Sequence, residues 1–218
     1  MPALDVASYL IDIIGTLAFA VAGAMVGADR HMDLFGVLSM GVVTTMGGGV
    51  MRDILLGQFP ARAFFNYDYI FLAVMASVVV FIIIRAFRQA YSRNRLLVEA
   101  VNNVFDAIGL AAFSITGVQI AIQSGHGENW IFCVFLGMMT GVGGGILRDM
   151  LCRMVPMVFT KHIYAVASIA GSLLYYICAH FHVEELGTFL VMVTVIAVRI
   201  LARIYHWNLP RIQFPMEK

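Results

Sequence analysis

A phrase of seven residues, Gly-Gly-Gly-x-x-Arg-Asp, occurs twice in this chain, at residues 47–53 and again at residues 143–149. Both copies lie inside long apolar stretches. Each glycine costs a helix about 1 kcal/mol relative to alanine, and an arginine and an aspartate at the same depth add a further cost in hydrocarbon. A chain that carries both features at two related places is expected to use them, so the phrase predicts a functional site at both positions.

The composition is too apolar for a soluble domain. Of the 218 residues, 61% are hydrophobic and only 12% are charged, about half the charged fraction of soluble proteins. Apolar runs of membrane-spanning length follow one another with short polar breaks, which predicts a helical membrane protein. The first run is too long for a signal peptide and follows Asp5 instead of a basic segment, so it is predicted to be a retained helix. The seven predicted spans are Ser8–Gly27, Leu34–Gln58, Tyr67–Arg88, Val101–Gln123, Trp130–Arg153, His162–Phe181 and Leu186–Tyr205.

Basic residues are concentrated on one side of these spans. The loops after spans one, three and five and the C-terminal tail hold most of them, whereas the opposite side holds Arg62 and several acids. The positive-inside rule therefore predicts a cytoplasmic C-terminus and an external N-terminus. Arginines 85–95 are interpreted as part of this topology signal, with a site for anionic membrane lipids as the second possibility. The basic side carries Arg30, Arg88, Arg93, Arg95, Arg153, Lys161, Arg203, Arg211 and Lys218, with Arg85 at its boundary.

The repetition extends beyond the glycine phrase. Span one contains Asp-x-x-Gly-x-x-x-Phe-x-x-x-Gly at residues 12–23, and span four contains the same pattern at residues 106–117, an offset of 94. In spans two and five, Gly41, Thr44 and Pro60 match Gly137, Thr140 and Pro156 at an offset of 96. Since three spans is an odd number, the second copy must cross the membrane in the opposite direction.

These patterns predict an all-α membrane protein. Its seven transmembrane helices form a 3+3 inverted repeat plus one, and the second and fifth helices are kinked at their glycine triplets. The whole chain, residues 1–218, is predicted to be a single transmembrane domain. Repeat one covers about 8–90, repeat two about 100–183, and the seventh helix about 186–206.

The triplets are expected to be the centre of the site. Each lies about 13 residues into its span, roughly 20 Å at 1.5 Å per residue, so two breaks related by inversion can meet near the midplane. The half-helix before each break would end in unpartnered carbonyls that favour a small cation, and Asp53 or Asp149 would lie in the first turn of the next half-helix. The alternative is that the glycines only permit close helix packing.

The polar residues beside the triplets have open roles. Arg52 and Arg148 could pair with the neighbouring aspartates or the free carbonyls, act as a movable gate, or form a buried ion pair that fixes the helix register. Thr44 and Thr140 could add hydroxyls to a pathway or bond back to their own helices. Helix-end electrostatics and a pathway role account about equally well for the aspartates at 12 and 106. The predicted ion-pathway residues are Gly47, Gly48, Gly49, Arg52, Asp53, Gly143, Gly144, Gly145, Arg148, Asp149, Thr44 and Thr140.

Motifs of other functional classes are absent from the sequence. Neither triplet fits Gly-x-Gly-x-x-Gly, no Walker lysine follows, and there is no His-Glu-x-x-His and no Gly-x-Ser-x-Gly. We therefore expect no enzyme activity, no cofactor and no nucleic-acid partner. Cys133, Cys152 and Cys178 have no disulfide or metal spacing and are predicted to be small buried hydrophobes.

The doubled Gly-Gly-Gly-x-x-Arg-Asp phrase in an inverted three-plus-three-plus-one arrangement resembles the trimeric intracellular cation channels, specifically their prokaryotic branch. The resemblance covers nearly the whole chain. It implies a homotrimer with one pore in each protomer, selective for monovalent cations and chiefly potassium, with sodium as a further ion, and with the second and fifth helices kinked at the triplets. The chain lacks the long basic tail of the animal relatives, which points to a prokaryotic plasma (inner) membrane.

The resulting prediction is a passive potassium channel whose constriction is formed by the triplets and lined or gated by the Arg-Asp pairs. Prokaryotic members of the family have also been labelled as possible glycine transporters, so a secondary transporter for a small amino acid is the main alternative. In that case, helix-end amides would meet the carboxylate of the substrate. A scaffold without transport is the third class, which the doubled intramembrane charges disfavour.

Overall fold

The computed structural model of the chain describes residues 2–160 and 163–207, with side chains from Val6 onward. Lys161, Arg211 and Lys218, three of the residues predicted on the basic side, lie outside the described residues, as does the predicted start of span six at His162.

Long helices make up most of the described part of the chain, and each predicted span overlaps one of them. They differ from the predicted spans mainly at their starts, since the first begins at Pro2 and the fourth long helix begins at Arg95. The helices are α1 (Pro2–Asp29), α2 (Leu34–Leu55), α3 (Tyr67–Ala86), α4 (Arg88–Arg93), α5 (Arg95–Ala121), α6 (Trp130–Leu151), α7 (Met157–Thr160), α8 (Tyr164–His180) and α9 (Glu184–Ile204).

The length of these helices matches the thickness of a bilayer. Among the described residues, six helices are long and apolar enough to cross a membrane, and α8 is apolar but has only 17 residues. Because a span needs about 20 apolar residues, the chain is an all-helical integral membrane protein.

Capping residues begin the two helices that carry the glycine triplets. Asp33 accepts a hydrogen bond from the backbone N–H of Gly36 at 2.8 Å, and Asn129 accepts one from the N–H of Phe132 at 3.1 Å. These side chains satisfy amides that the first helical turn leaves without a partner. Asp33 and Asn129 are themselves 96 positions apart, so the sequence repeat includes the helix starts.

Successive long helices run in opposite directions, which gives the bundle two ends. The first end is where α1 starts, and it carries residues 56–66 and 122–129. The second end is where α1 finishes, and it carries residues 30–33 and 152–160. Contacts at both ends agree with this, since Thr116 bonds Asp12 at the first end and Arg95 pairs with Asp29 at the second.

The centre of the bundle is formed by α1, α2, α5 and α6 packed against one another. Phe19 of α1 and Phe113 of α5 meet with ring centroids 5.3 Å apart, and both are the phenylalanine of the repeated pattern. The rest of this core is rich in alanine and glycine, which lets helices approach closely in a membrane. The three cysteines are free and buried as predicted, and burial raises the pKa of the Cys152 thiol, so it stays neutral.

Candidate functional site

The two glycine triplets meet where α2 crosses α6. A Cβ atom placed on Gly48 would collide with the backbone carbonyl of Thr140, and one placed on Gly144 would collide with the carbonyl of Thr44. The two contacts are reciprocal, because each becomes the other under the 96-position offset. The prediction that the triplets meet is therefore confirmed, and glycine is required at both positions to let the two backbones touch.

The expected interruption of the helices at the triplets is not found. Both α2 and α6 continue as α-helix through their glycines to Leu55 and Leu151. Breaking them would leave backbone groups unpaired in hydrocarbon, which costs several kcal/mol per group. Asp53 and Asp149 consequently lie in the last turn of a continuous helix, and the prediction that they start a second half-helix is wrong.

The threonines before the triplets bond back to their own helices. The hydroxyl of Thr44 donates to the carbonyl of Met40 at 2.6 Å, and that of Thr140 donates to the carbonyl of Leu136 at 2.7 Å. This is one of the two alternatives that the sequence left open. Thr140 also contributes to the wall of a cavity at the first end of the bundle.

Arg52 of the first triplet phrase forms an ion pair with its neighbour. Its Nε donates to Oδ1 of Asp53 at 2.9 Å, and the second oxygen of Asp53 accepts the backbone N–H of Arg62 at 2.8 Å. These bonds compensate the position of a carboxylate at a helix C-terminus, which the helix dipole disfavours. Asp12 of α1 lies nearby and accepts a hydrogen bond from the hydroxyl of Thr116 at 2.7 Å.

Asp12, Arg52, Arg62 and Thr116 line a cavity of about 170 Å³ at the first end of the bundle. The charged residues of its wall are Asp12, Arg52 and Arg62; Arg52 is paired with Asp53, and the side chain of Arg62 is exposed. The cavity reaches inward to the triplet crossing at Gly49 and Thr140. Its polar wall consists of Asp12, Thr16, Thr45, Arg52, Arg62, Asn66, Tyr69, Thr116 and Thr140.

Arg148 of the second phrase occupies the corresponding place but has more partners. Its Nε donates to Oδ1 of Asp149 at 2.9 Å, and its terminal nitrogen donates to Oδ1 of Asp106 at 2.9 Å. The second oxygen of Asp149 accepts the N–H of Met157 at 2.8 Å, as Asp53 does from its own following loop. Arg148, Asp106 and Asp149 are at most 1% exposed.

A second arginine completes this buried cluster. Arg199 of α9 donates to Oδ1 of Asn103 at 2.9 Å and to Oδ2 of Asp106 at 3.4 Å. Its guanidinium lies 4.3 Å from the ring centroid of Tyr164, a cation–π contact worth about 2 kcal/mol when desolvated. With Arg199 the cluster has two positive and two negative groups and is neutral.

A second cavity, of about 360 Å³, opens at the second end of the bundle. Its inner wall includes Asn103 and Asp149, each of which binds one of the two buried arginines. Asp29, Glu99 and Asn102 add carboxylate and amide oxygens, and Arg30 and Arg203 add positive charge. The first-end cavity thus reaches the triplet crossing, and the second-end cavity reaches Asp149, which lies about one turn after the second triplet.

Sequence reasoning missed one member of the site, Arg199, and left the roles of two others, Asp12 and Asp106, open. Arg199 was not singled out, although it is an arginine inside an apolar helix and the rule that intramembrane charges are functional applies to it equally. Asp12 and Asp106 were balanced against helix-end electrostatics, which is wrong here because both lie about three turns inside their helices. The predicted start of span four at Val101 caused the error for Asp106.

Comparison with known proteins places the chain among bacterial membrane proteins. The family model described as "Glycine transporter" matches residues 9–85 and 103–180. The UPF0126 inner membrane protein YadS of Escherichia coli strain K12 is 35% identical over 204 residues, which is 93% of this chain and 94% of the relative.

Solved structures resemble the chain over nearly its whole length. One, described as "Structural basis for conductance through TRIC cation channels", is 33% identical, covers 95% of this chain and 98% of its own, and has a TM-score of 0.80. Another, described as "Crystal structure of a prokaryotic TRIC channel in 0.5 M KCl", is 31% identical, covers 94% and 99%, and has a TM-score of 0.83.

Proposed function

The chain belongs to the prokaryotic branch of the trimeric intracellular cation channel family, and from this membership we propose that it is a passive channel for monovalent cations, with potassium the leading ion. The observation that carries the proposal is the first-end cavity. Its wall holds Asp12 and a set of hydroxyl groups inside an otherwise apolar bundle, and the positive charge of Arg52 in that wall is balanced by its ion pair with Asp53. Carboxylates and hydroxyls are ligands that suit hard cations.

We propose that the pathway runs from this cavity through the triplet crossing to the second-end cavity. The crossing is its narrowest part, because the two backbones touch there. Asp12, Arg52 and Thr116 line the entrance, and Asp149 and Asn103 line the exit. Bending of α2 and α6 at the triplets belongs to this proposal, since glycines in a continuous helix lower the cost of bending.

We propose that the protein also has the architecture of this family. All seven long helices cross the membrane, with α1–α3 repeated in inverted orientation by α5, α6 and α8, and with α9 added. The protein is proposed to lie in the inner membrane of a prokaryote, with its N-terminus outside and its C-terminus in the cytoplasm. Three copies form a homotrimer with a pore in each protomer and with membrane lipids around it.

Single-channel recording tests the proposal. The purified protein is reconstituted in planar bilayers under asymmetric potassium chloride, and discrete currents are expected that reverse near the potassium Nernst potential. Arg52→Ala is expected to change the conductance while the protein remains a folded oligomer, because Asp53 keeps its bond from the N–H of Arg62. Currents identical to those of the wild type would remove Arg52 from the pathway.

The name of the family model favours one alternative, a secondary transporter for glycine. The same cavity would then receive a zwitterion, with Arg52 facing the carboxylate and Asp12 facing the ammonium group. Labelled-glycine counterflow in proteoliposomes separates the two functions. Saturable exchange without unitary currents would establish the transporter, and currents without exchange would establish the channel.

A further inference from the structure

Arg199 belongs to α9, the helix that has no counterpart in the repeated part of the chain. Its side chain is 2% exposed and reaches between α5 and α8. There it binds the oxygens of Asn103 and Asp106 and covers the ring of Tyr164. A charged side chain so deep in a bundle is costly unless it is paired, and Arg199 is paired with a group that the repeat supplies.

The first half of the chain shows the same trio without a second buried arginine. Asp12, Arg52 and Asp53 have a formal charge of −1, and Asp12 borders a cavity whose other arginine, Arg62, has an exposed side chain. Asp106, Arg148 and Asp149 also have a formal charge of −1, but the guanidinium of Arg199 neutralises them. Asp12 thus borders a cavity, whereas the equivalent Asp106 is bonded to a second buried arginine.

Arg199 lies directly behind the inner wall of the second-end cavity. That cavity is lined by Asn103 and Asp149, which are direct partners of Arg199 and Arg148. The two arginines themselves are buried behind this wall. A cation that entered from the second end would therefore meet two guanidinium groups before it reached the carboxylate of Asp106.

We propose that Arg199 is a tethered counter-cation that closes the pathway, and that permeation requires its guanidinium to leave Asp106; this inference rests on the proposed channel function. While Arg199 is in place, it occupies the position that a permeating cation would take and repels any cation that approaches. When it leaves, the second half acquires the same charge of −1 as the first. Asn103 at the cavity wall offers the displaced side chain a partner that it already contacts.

The test compares three variants in planar bilayers under asymmetric potassium chloride. Arg199→Gln removes the charge and is expected to raise the open probability roughly tenfold, the size typical of coupling between sites in a two-state equilibrium. Arg85→Gln is the matched control, because Arg85 lies in the last turn of α3 with an exposed side chain and lines neither cavity described above. It is expected to leave the open probability unchanged.

The double variant Asp106→Asn/Arg199→Gln provides a second test in case Arg199→Gln alone does not fold. It removes one positive and one negative group, so the cluster stays neutral and keeps the Arg148–Asp149 pair, which resembles Arg52–Asp53. Its open probability is also expected to rise. If Arg199→Gln alone does not yield a folded oligomer, the double variant decides the question.

Each outcome separates the two proposals. Currents in the wild type together with an unchanged or lower open probability in the folded Arg199 variants would overturn the proposal that Arg199 closes the pathway. The proposed channel function would remain intact. A silent wild type with conducting Arg199 variants would support both. The absence of currents in the wild type and in every folded variant would overturn both the channel function and the proposed role of Arg199.

Discussion

In the first half of the chain, Asp12 and Arg52 line a cavity, whereas in the second half their counterparts Asp106 and Arg148 are bonded directly to each other. The helices that carry them are the same in both halves, and so is the aspartate that follows each arginine. The difference arises from the residues that surround the trio. A repeated backbone therefore does not determine whether a charged group faces water or protein.

The neighbours of each trio explain the difference. Thr16 and Thr116 contribute to the polar wall of the first-end cavity. The residues at the matching positions, 94 places away, are Leu110 and Ala22, and both are fully buried. Apolar side chains fill the second half and exclude water from it, so its excess negative charge needs a charged protein group. Arg199 provides that group.

The largest difference in stability between the two halves is expected when their equivalent aspartates, Asp106 and Asp12, are neutralised. Asp106→Asn leaves two buried arginines with Asp149 as the remaining carboxylate of the cluster, and breaking a buried ion pair costs about 3–5 kcal/mol. Asp12→Asn keeps an oxygen for the hydroxyl of Thr116 and has a cavity beside it, so we expect a loss of about 1 kcal/mol. Thermal unfolding of the two purified variants in the same detergent measures the contrast. Equal losses would show that the two trios are not different environments.

Replacing a glycine at the triplet crossing by alanine is expected to destabilise the protein equally in both halves. Gly48→Ala and Gly144→Ala each place a methyl group against a carbonyl of the facing helix, and overpacking of this kind costs about 1–3 kcal/mol. Gly49→Ala is the control within the same triplet, because its methyl group would meet only the far end of Arg52 at 3.7 Å. Melting temperatures of the three variants should fall in two groups. A loss at Gly49 as large as at Gly48 would mean that helix bending, and not contact, makes glycine necessary.

A smaller effect is expected when the wall of the first-end cavity is made apolar, as it is in the second half. Thr16→Val replaces one hydroxyl by a methyl group, at a cost of about 1 kcal/mol or less. If the cavity conducts cations, the single-channel current should fall, because one oxygen dipole is removed from its wall. Thr194→Val on the exposed face of α9 is the control and should conduct like the wild type. An unchanged current in Thr16→Val would remove this wall from the conduction path.

The sequence predicts the fold well because its signals are strong and local. Long apolar runs predict where the helices lie, and the doubled phrase predicts which of them correspond. The meeting of the two triplets also follows, since inversion brings equal depths together. Helix continuity at Gly47 and Gly143 does not follow, because the intrinsic cost of glycine competes with the larger cost of unpaired backbone in hydrocarbon.

The partners of the charged groups were less predictable. Arg52 and Arg148 stand in identical local phrases, so no local rule distinguishes their environments. What distinguishes them is Arg199, fifty positions after the end of the second phrase at Asp149, together with the apolar replacements at Leu110 and Ala22. Such contacts depend on tertiary packing. The sequence of α9 shows that Arg199 stands in an apolar stretch and needs a partner, but it does not say which residue that partner is.

The smallest effect is expected at the rim of the second end, where Asp29 pairs with Arg95 at 3.3 Å. Their side chains are 31% and 55% exposed, so water screens the pair, and such surface pairs contribute about 0–1 kcal/mol. Asp29→Asn should therefore lower the melting temperature slightly at low salt and not at all at high salt, since the Debye length falls to about 3 Å at 1 M. The Asp106→Asn variant should be destabilised equally at low and high salt, because the buried cluster is shielded from ions. If added salt reduced the loss at Asp106 as well, water and ions would have access to the second trio, and the two halves would be more alike than their contacts indicate.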